Sequence, residues 1–388
     1  MKIQSFTIED LFEAYYSCRK HKRNTINALK FEINLEQNMM NLYHDLKTDK
    51  YEISKSICFI SFHPKIREIW AADFRDRIVH HLVYNFLQER FERSFIFDTY
   101  SCIRKKGTLK ACRRVEKFTR SITNNYQEKA YFLKADVKSF FMGIDKNILY
   151  KLLLKKVDEL WIQKLLKQII FNEPTKNCLI HSKKEELKKV PKHKSLWYAP
   201  KNKGLPIGNL TSQFFANIYL NELDQFVKHK LKCKYYLRYA DDILIFNKSP
   251  KLLNQAYNQI EIFLEKELLL KLHPGKKEIN TLDKGINFVG YIIKPHRVYI
   301  RNSTVGRLKQ KICQLNIQEI QGNEMIENKN NLEKYQAALN SYFGMFRHIK
   351  GYNLRRSLGE KLKNEVIFPV KDYRKFQIQK PKNPPKNL

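Results

Sequence analysis

The stretch Tyr235 to Asn247, YYLRYADDILIFN, sets two apolar arms around a pair of adjacent aspartates. Such arms flanking a polar tip predict a hairpin. Adjacent carboxylates at one tip are costly, because each disfavours the ionised form of the other, and a hard divalent cation removes that cost. A second apolar run, Tyr131 to Val137 (YFLKADV), predicts a mostly buried strand that ends in a third carboxylate, Asp136. Asp136, Asp241 and Asp242 together make the oxygen set that Mg²⁺ takes along with phosphate oxygens and water. Two such ions, about 3.5 to 4 Å apart, can activate an attacking hydroxyl and stabilise a leaving group in an in-line displacement. Taken alone, an Asp-Asp pair in a turn is usually only solvated.

The chain has 388 residues, 43% hydrophobic and 13% aromatic, enough for one large subdivided catalytic unit or two modest domains with a core. Its 73 Lys and Arg against 39 Asp and Glu leave a net charge of +34, which points to a polyanionic partner and first to nucleic acid. A compositional preference for Lys, Asn and Ile accounts for part of that excess. Seven scattered Cys without a CxxC pair suggest neither a disulfide framework nor a zinc knuckle, and fit a reducing cytoplasm. No apolar run approaches the roughly 20 residues of a membrane span, and the start lacks the order of a signal peptide, so no membrane partner is expected.

Along the chain, Ile8 to Leu46 is helical in period, interrupted by the basic patch Arg19 to Arg23, which either lies on a solvated face or meets phosphate. Ser56 to Ile69 alternates as two short strands, and Phe74 to Arg90 and Leu149 to Phe171 read as helices. Residues 172–204, rich in Lys, Pro and Asn, read as a long basic loop with at most one short helix. Thr211 to Lys232 predicts a long amphipathic helix, Leu252 to Leu270 another, and Ile286 to Ile293 a strand with an embedded Gly. The chain from Ser303 is helical and basic, and the terminal KPKNPPKNL is expected to be disordered.

Tyr239-Ala240-Asp241-Asp242 between apolar arms, preceded by a strand-borne Asp and a Phe pair, resembles the palm signature of reverse transcriptases. The likeness continues in order through His63 to Arg67, Phe74 to His81, YSCIRKKGT at Tyr100 to Thr108, Lys134 to Phe141, GLPIGNLTSQ at Gly204 to Gln213, and Phe288 to Tyr291. It implies an α+β right-hand polymerase: an N-terminal helical extension over 1–50, fingers over 51–135, a palm over 136–300 carrying the basic insertion 172–204, a helical thumb over 301–370 and a basic disordered tail over 371–388. The implied activity is RNA-directed DNA synthesis with two Mg²⁺ ions, for which Mn²⁺ can substitute.

The same resemblance assigns roles by position. Asp136, Asp241 and Asp242 would be catalytic, with Val137 joining them in the metal-binding set. Lys65 and Arg67 would pair with the incoming triphosphate, and Phe141 would be a steric gate against a ribose 2′-OH, or else core like Phe140. Ile207 and Gly208 would line the nucleotide site, and Lys276 would protonate the leaving pyrophosphate, with Lys277 as its rival. Tyr239, Ala240 and Gln213 would face primer and template, Phe288, Gly290 and Tyr291 would form a primer grip, and Arg347 and Lys350 would meet duplex phosphates.

The form Ile207-Gly208 to Ser212-Gln213 is similar to the enzymes of diversity-generating retroelements and related defence-associated bacterial reverse transcriptases, with Ile207 replacing a Gln that contacts the incoming nucleotide. Expected partners are an RNA template or dedicated non-coding RNA, a DNA or RNA primer, dNTPs, and an accessory protein, a partner reverse transcriptase or a second copy of the chain. No maturase, endonuclease or RNase H segment is expected after Arg356. Two other readings stay open: untemplated or protein-templated DNA synthesis, and an inactive RNA-holding scaffold.

Overall fold

Alternation of apolar and polar residues around Lys65 produces the first sheet of the protein. The computed structural model describes residues 5–20, 22–62, 65–320, 329–363 and 367–378. His21, His63, Pro64 and the terminal KPKNPPKNL lie outside the described residues. The chain divides into two units, Met1–Lys105 with Leu133–Ile279, and Lys106–Phe132 with Asn280–Leu388.

In chain order the first seven strands are β1 (Ser56–Ser61), β2 (Arg67–Ala71), β3 (Tyr131–Asp136), β4 (Cys178–Ile180), β5 (Tyr235–Tyr239), β6 (Asp242–Asn247) and β7 (Glu278–Thr281). They form two sheets, ordered β2-β1-β4 and β5-β6-β3-β7. β1 and β2 are antiparallel with Cys58 opposite Trp70, and β4 runs parallel to β1. In the second sheet Phe132, Leu133 and Ala135 of β3, and Ile243 to Phe246 of β6, are all buried. That two-sided burial is what their uninterrupted apolar runs require.

Helices cover these strands. Ile8–Arg19 begins at a reciprocal cap between Thr7 and Asp10, and Ile26–Ile33 and Leu35–Lys47 follow it. Phe74–Glu92 starts where the Asp73 side chain accepts from the Arg75 N–H. The expected helix over Leu149 to Phe171 is two helices, Lys146–Leu154 and Leu160–Phe171. Leu210–Gln225 is buried on nearly every side rather than amphipathic, and a π turn over Phe226–Lys230 continues it. Even its polar residues Asn217, Asn221 and Asp224 are buried.

The basic stretch 172–204 is more ordered than the long loop expected. Besides β4 it holds a short helix, Lys184–Leu187, and three 3-10 turns. The missed strand is only three residues long, too short for a periodic signal.

The second unit contains the helix Thr108–Ile122 and a meander, β8 (Ile286–Phe288), β9 (Tyr291–Lys294) and β10 (Arg297–Ile300). The single strand expected over Ile286 to Ile293 therefore turns back on itself at Val289 and Gly290, whose φ values are 43° and 92°. Two consecutive positive φ values suit a two-residue hairpin turn. The helices Asn302–Ile320, Lys329–Phe346 and Tyr352–Gly359 come next. Where a helical thumb end and tail were expected, β11 (Ile367–Val370) and β12 (Lys375–Ile378) form a hairpin, and Phe376 packs 4.6 Å from the Phe343 ring. Among the described residues no helix is long and apolar enough to cross a membrane.

Candidate active site

The end of β3 is held from both sides. The Val137 N–H donates to the Asp241 carbonyl at 3.3 Å, and the His273 N–H donates to the Asp136 carbonyl at 2.8 Å. Asp136 is thus fixed between the hairpin tip and the segment 271–273. Tyr239 pairs with Asp242 across the hairpin, and Ala240 takes a left-handed φ of 53° to make the turn. Asp136 and Asp242 lie close enough to Asp241 to act on it as like charges. Burial, then Asp136 and Asp242, push the Asp241 carboxyl up to about 6. Burial also raises Asp242, while Lys134, Lys276 and Lys65 oppose the shift.

Lys276 sits on a 3-10 turn, Pro274–Lys276, with its ammonium 2.7 Å from Asp136 Oδ2. Lys277 lies over the Tyr257 ring at 4.0 Å, so of the two lysines Lys276 faces the carboxylates. Among the described residues no three His, Cys, Asp or Glu side chains are already drawn together as a chelate. The donor set nevertheless suits a hard divalent ion: carboxylate oxygens on three fixed backbone positions, with a mutual repulsion that such an ion would relieve.

Cys58, Trp70, Met142 and Leu196 form a buried cluster, with Phe141 and Ile207 both packed against it. The Ile207 carbonyl accepts from the Trp70 N–H at 2.7 Å, and the Phe141 carbonyl accepts from the Leu205 N–H at 2.9 Å. Gly208 has a φ of 133°, and a Cβ there would stand 2.9 Å from the Trp70 carbonyl, so only glycine fits. Gln213 is exposed between buried Ser212 and Phe214. Lys65 is exposed and close enough to act on Asp242, whereas Arg67 is exposed at the start of β2. Tyr239 is half-buried, and Ser101 hydrogen-bonds its hydroxyl.

The remaining expected site residues lie in the second unit. Phe288 and Tyr291 are buried, and a Cβ on Gly290 would meet the Met345 methyl at 2.8 Å. Arg347 and Lys350 are exposed, and Lys350 shares a groove with Lys294 and Arg297.

Two features escaped sequence reasoning. Lys134 acts on Asp242 from β3, two residues before Asp136 and on the same face, a placement that the period of two would have signalled. Arg238, inside the apolar arm YYLRY, is fully buried with its guanidinium 2.7 Å from Asp224, which is also fully buried. Tyr236 donates to Asp224 at 2.5 Å and Thr99 at 2.9 Å, and Arg238 donates to the Ala240 carbonyl at 2.9 Å. An arginine in an apolar run requires such a partner.

The profile described as "Reverse transcriptase (RNA-dependent DNA polymerase)" matches residues 54–293. No curated protein sequence matches the chain. Solved structures with partial likeness include apo telomerase from Candida tropicalis truncated from its C-terminal domain, at 11% identity and TM-score 0.46, over 64% of this chain and 55% of that one. Telomerase from Candida albicans with a TWJ fragment of telomeric RNA aligns at 12% identity and TM-score 0.43, over 84% and 64%. The Candida tropicalis telomerase with the same kind of RNA fragment aligns at 13% and 0.46, over 80% and 57%. The chain therefore spans less than two thirds of the length of each of these structures. The profile covers the two sheets, the hairpin and all three aspartates, so this chain belongs to the reverse transcriptase family of RNA-dependent DNA polymerases and has its α+β fold.

Proposed function

We propose that this chain adds deoxynucleotides to a DNA or RNA primer on an RNA template at a site built by Asp136, Asp241 and Asp242. The observation that carries the reading is the fixed approach of the β3 end to the hairpin tip, Val137 N–H to Asp241 carbonyl, which sets three carboxylates against one another. These side chains, with Val137, would hold two Mg²⁺ ions, whose chemistry when bound is to activate the primer hydroxyl and stabilise the leaving pyrophosphate. Lys65 and Arg67 receive the triphosphate, and Lys276 supplies a proton to the departing pyrophosphate. Phe141 excludes the 2′-OH from a wall that the Cys58–Trp70 cluster stiffens. Tyr239 and Ala240 meet the primer end, and Phe288 to Tyr291 form a grip. Fingers over 51–135, a palm over 136–300 and a thumb over 301–370 complete the assignment.

Within the family we place the chain with the diversity-generating and defence-associated bacterial enzymes, on the Ile207 to Gln213 pattern. Primer extension on a defined RNA with Mg²⁺ tests the activity, and no DNA product would refute it. Sequencing the nucleic acid that copurifies tests the placement. One defined RNA or its cDNA supports it, and random host RNA opposes it.

A further inference from the structure

The stretch 172–204 carries nine lysines and three glutamates, and a solvated loop would be the ordinary reading of that composition. Its anchoring says otherwise. β4 adds to the β1–β2 sheet, the Ile60 N–H donates to the Ser182 hydroxyl at 2.9 Å, and the His181 N–H donates to the Cys58 carbonyl at 2.9 Å. Further along, the buried carboxylate of Glu68 accepts from the Leu196 N–H at 2.8 Å and from the Trp70 indole at 3.3 Å. Leu196 is in the core; Trp197, 40% exposed, sets one side of its ring 5.3 Å from that of the buried Trp70 and leaves the rest at the surface, and Tyr198 is 62% exposed. Adjacent large rings exposed together at the surface are the kind of patch that marks an interaction site.

What covers them is constrained by their surroundings. Lys188, Lys189, Lys192 and Lys194 are exposed. Lys192 lies 5.5 Å from the Tyr198 ring centroid, and Lys189 lies 5.9 Å from that of Phe62, itself 39% exposed. Flat rings interleaved with cations match a strand that offers both π-faces and phosphates, since unpaired bases stack on aromatics while lysines track the backbone. A duplex keeps its bases stacked on one another and leaves the rings unused. An acidic protein would satisfy the lysines but has no such need for two adjacent rings.

We infer that residues 183–198, latched to β1 and to Glu68, form a docking surface for single-stranded RNA, with Tyr198 and Trp197 as stacking platforms and Lys188, Lys189 and Lys192 as phosphate contacts. The choice of RNA over DNA rests on the family membership; the surface itself rests on its own residues.

The test is fluorescence anisotropy of the full chain with an unpaired oligouridylate, across a salt series and without nucleotide triphosphates. Substituting Lys188, Lys189 and Lys192 together by Ala should weaken binding about 10- to 100-fold and flatten the log–log salt slope by about 2, and replacement by Arg should restore most of both. Tyr198→Ala should weaken binding about tenfold with the slope unchanged, because stacking releases no counterions. Unaltered affinity and slope in the Ala variants would overturn the inference. So would equal losses on a fully paired RNA duplex, or tighter binding of the matched DNA strand. Binding is read without synthesis, so this result and that of the primer-extension assay stand separately.

Discussion

Lys276 Nζ lies 2.7 Å from Asp136 Oδ2 and supplies a positive charge where three carboxylates meet. An ammonium in that position competes with a divalent cation for the same oxygen and also stands ready to donate a proton. Lys276→Met should therefore lower the half-saturating Mg²⁺ concentration while reducing the maximal rate on the order of 10²- to 10⁴-fold, the range for loss of one acid group. Primer extension over a Mg²⁺ titration reads both quantities. A rate loss with no change in Mg²⁺ dependence would remove the competition from the account.

Asp136→Asn and Asp241→Asn should each cut DNA synthesis on the order of a thousandfold or more, as removal of a group acting on the transition state does. Folding should survive, because the substitution keeps the volume and relieves repulsion at Asp241. Extension rate and thermal midpoint, measured on the same preparations, separate the two effects.

Phe141→Val should raise the ratio of ribonucleotide to deoxynucleotide incorporation. Because Phe141 is half-buried against the Cys58–Trp70 cluster, the change should also cost roughly 1–3 kcal/mol of stability. Competition between rNTPs and dNTPs gives the ratio. An unchanged ratio with lowered stability would return the residue to the core alone.

Ile207→Gln should raise fidelity, because a polar side chain penalises partners that leave it unpaired. The packing of Ile207 on the same cluster as Phe141 predicts a modest loss of rate alongside. Misincorporation scored opposite each template base, at matched extension, is the measurement.

Asp224→Ala strands the buried Arg238 guanidinium and should cost about 3–5 kcal/mol. Replacing both partners, Arg238→Met with Asp224→Leu, should recover only part of that stability, because the buried Tyr236 and Thr99 hydroxyls lose their acceptor, and should lose the hydrogen bond to the Ala240 carbonyl. The double variant should then fold and polymerise slowly, with substrate KM little changed. Thermal midpoint beside kcat and KM decides it.

His80 is buried with Nδ1 2.6 Å from the Thr211 hydroxyl, and burial drops its pKa from 6.5 to about 3. The unfolded chain takes up this proton below 6.5 and the folded chain only near 3, so stability should fall as pH drops through that window, by about 1.4 kcal/mol per unit. His80→Gln should flatten the slope in urea melts taken across those pH values.

Periodicity in the sequence determined the strands that matter. Arms of apolar residues around Asp241 and Asp242, and a third run ending at Asp136, are local patterns that two-sided burial imposes on any chain that uses them. The order of motifs then carried the family. The tertiary structure decided which charges meet. Nothing in the order of residues distinguishes Lys276 from Lys277, and only the turn at Pro274 points one at Asp136 and lays the other on Tyr257. Arg238 and Asp224 find each other across a helix and a hairpin, a pairing set by packing rather than by spacing. The lysine-rich stretch after Asn172 reads as solvent-exposed, because its anchors are a three-residue strand and one buried glutamate 128 residues before Leu196. Periodicity reports which side of an element faces the core; it carries no information about the partner that waits there.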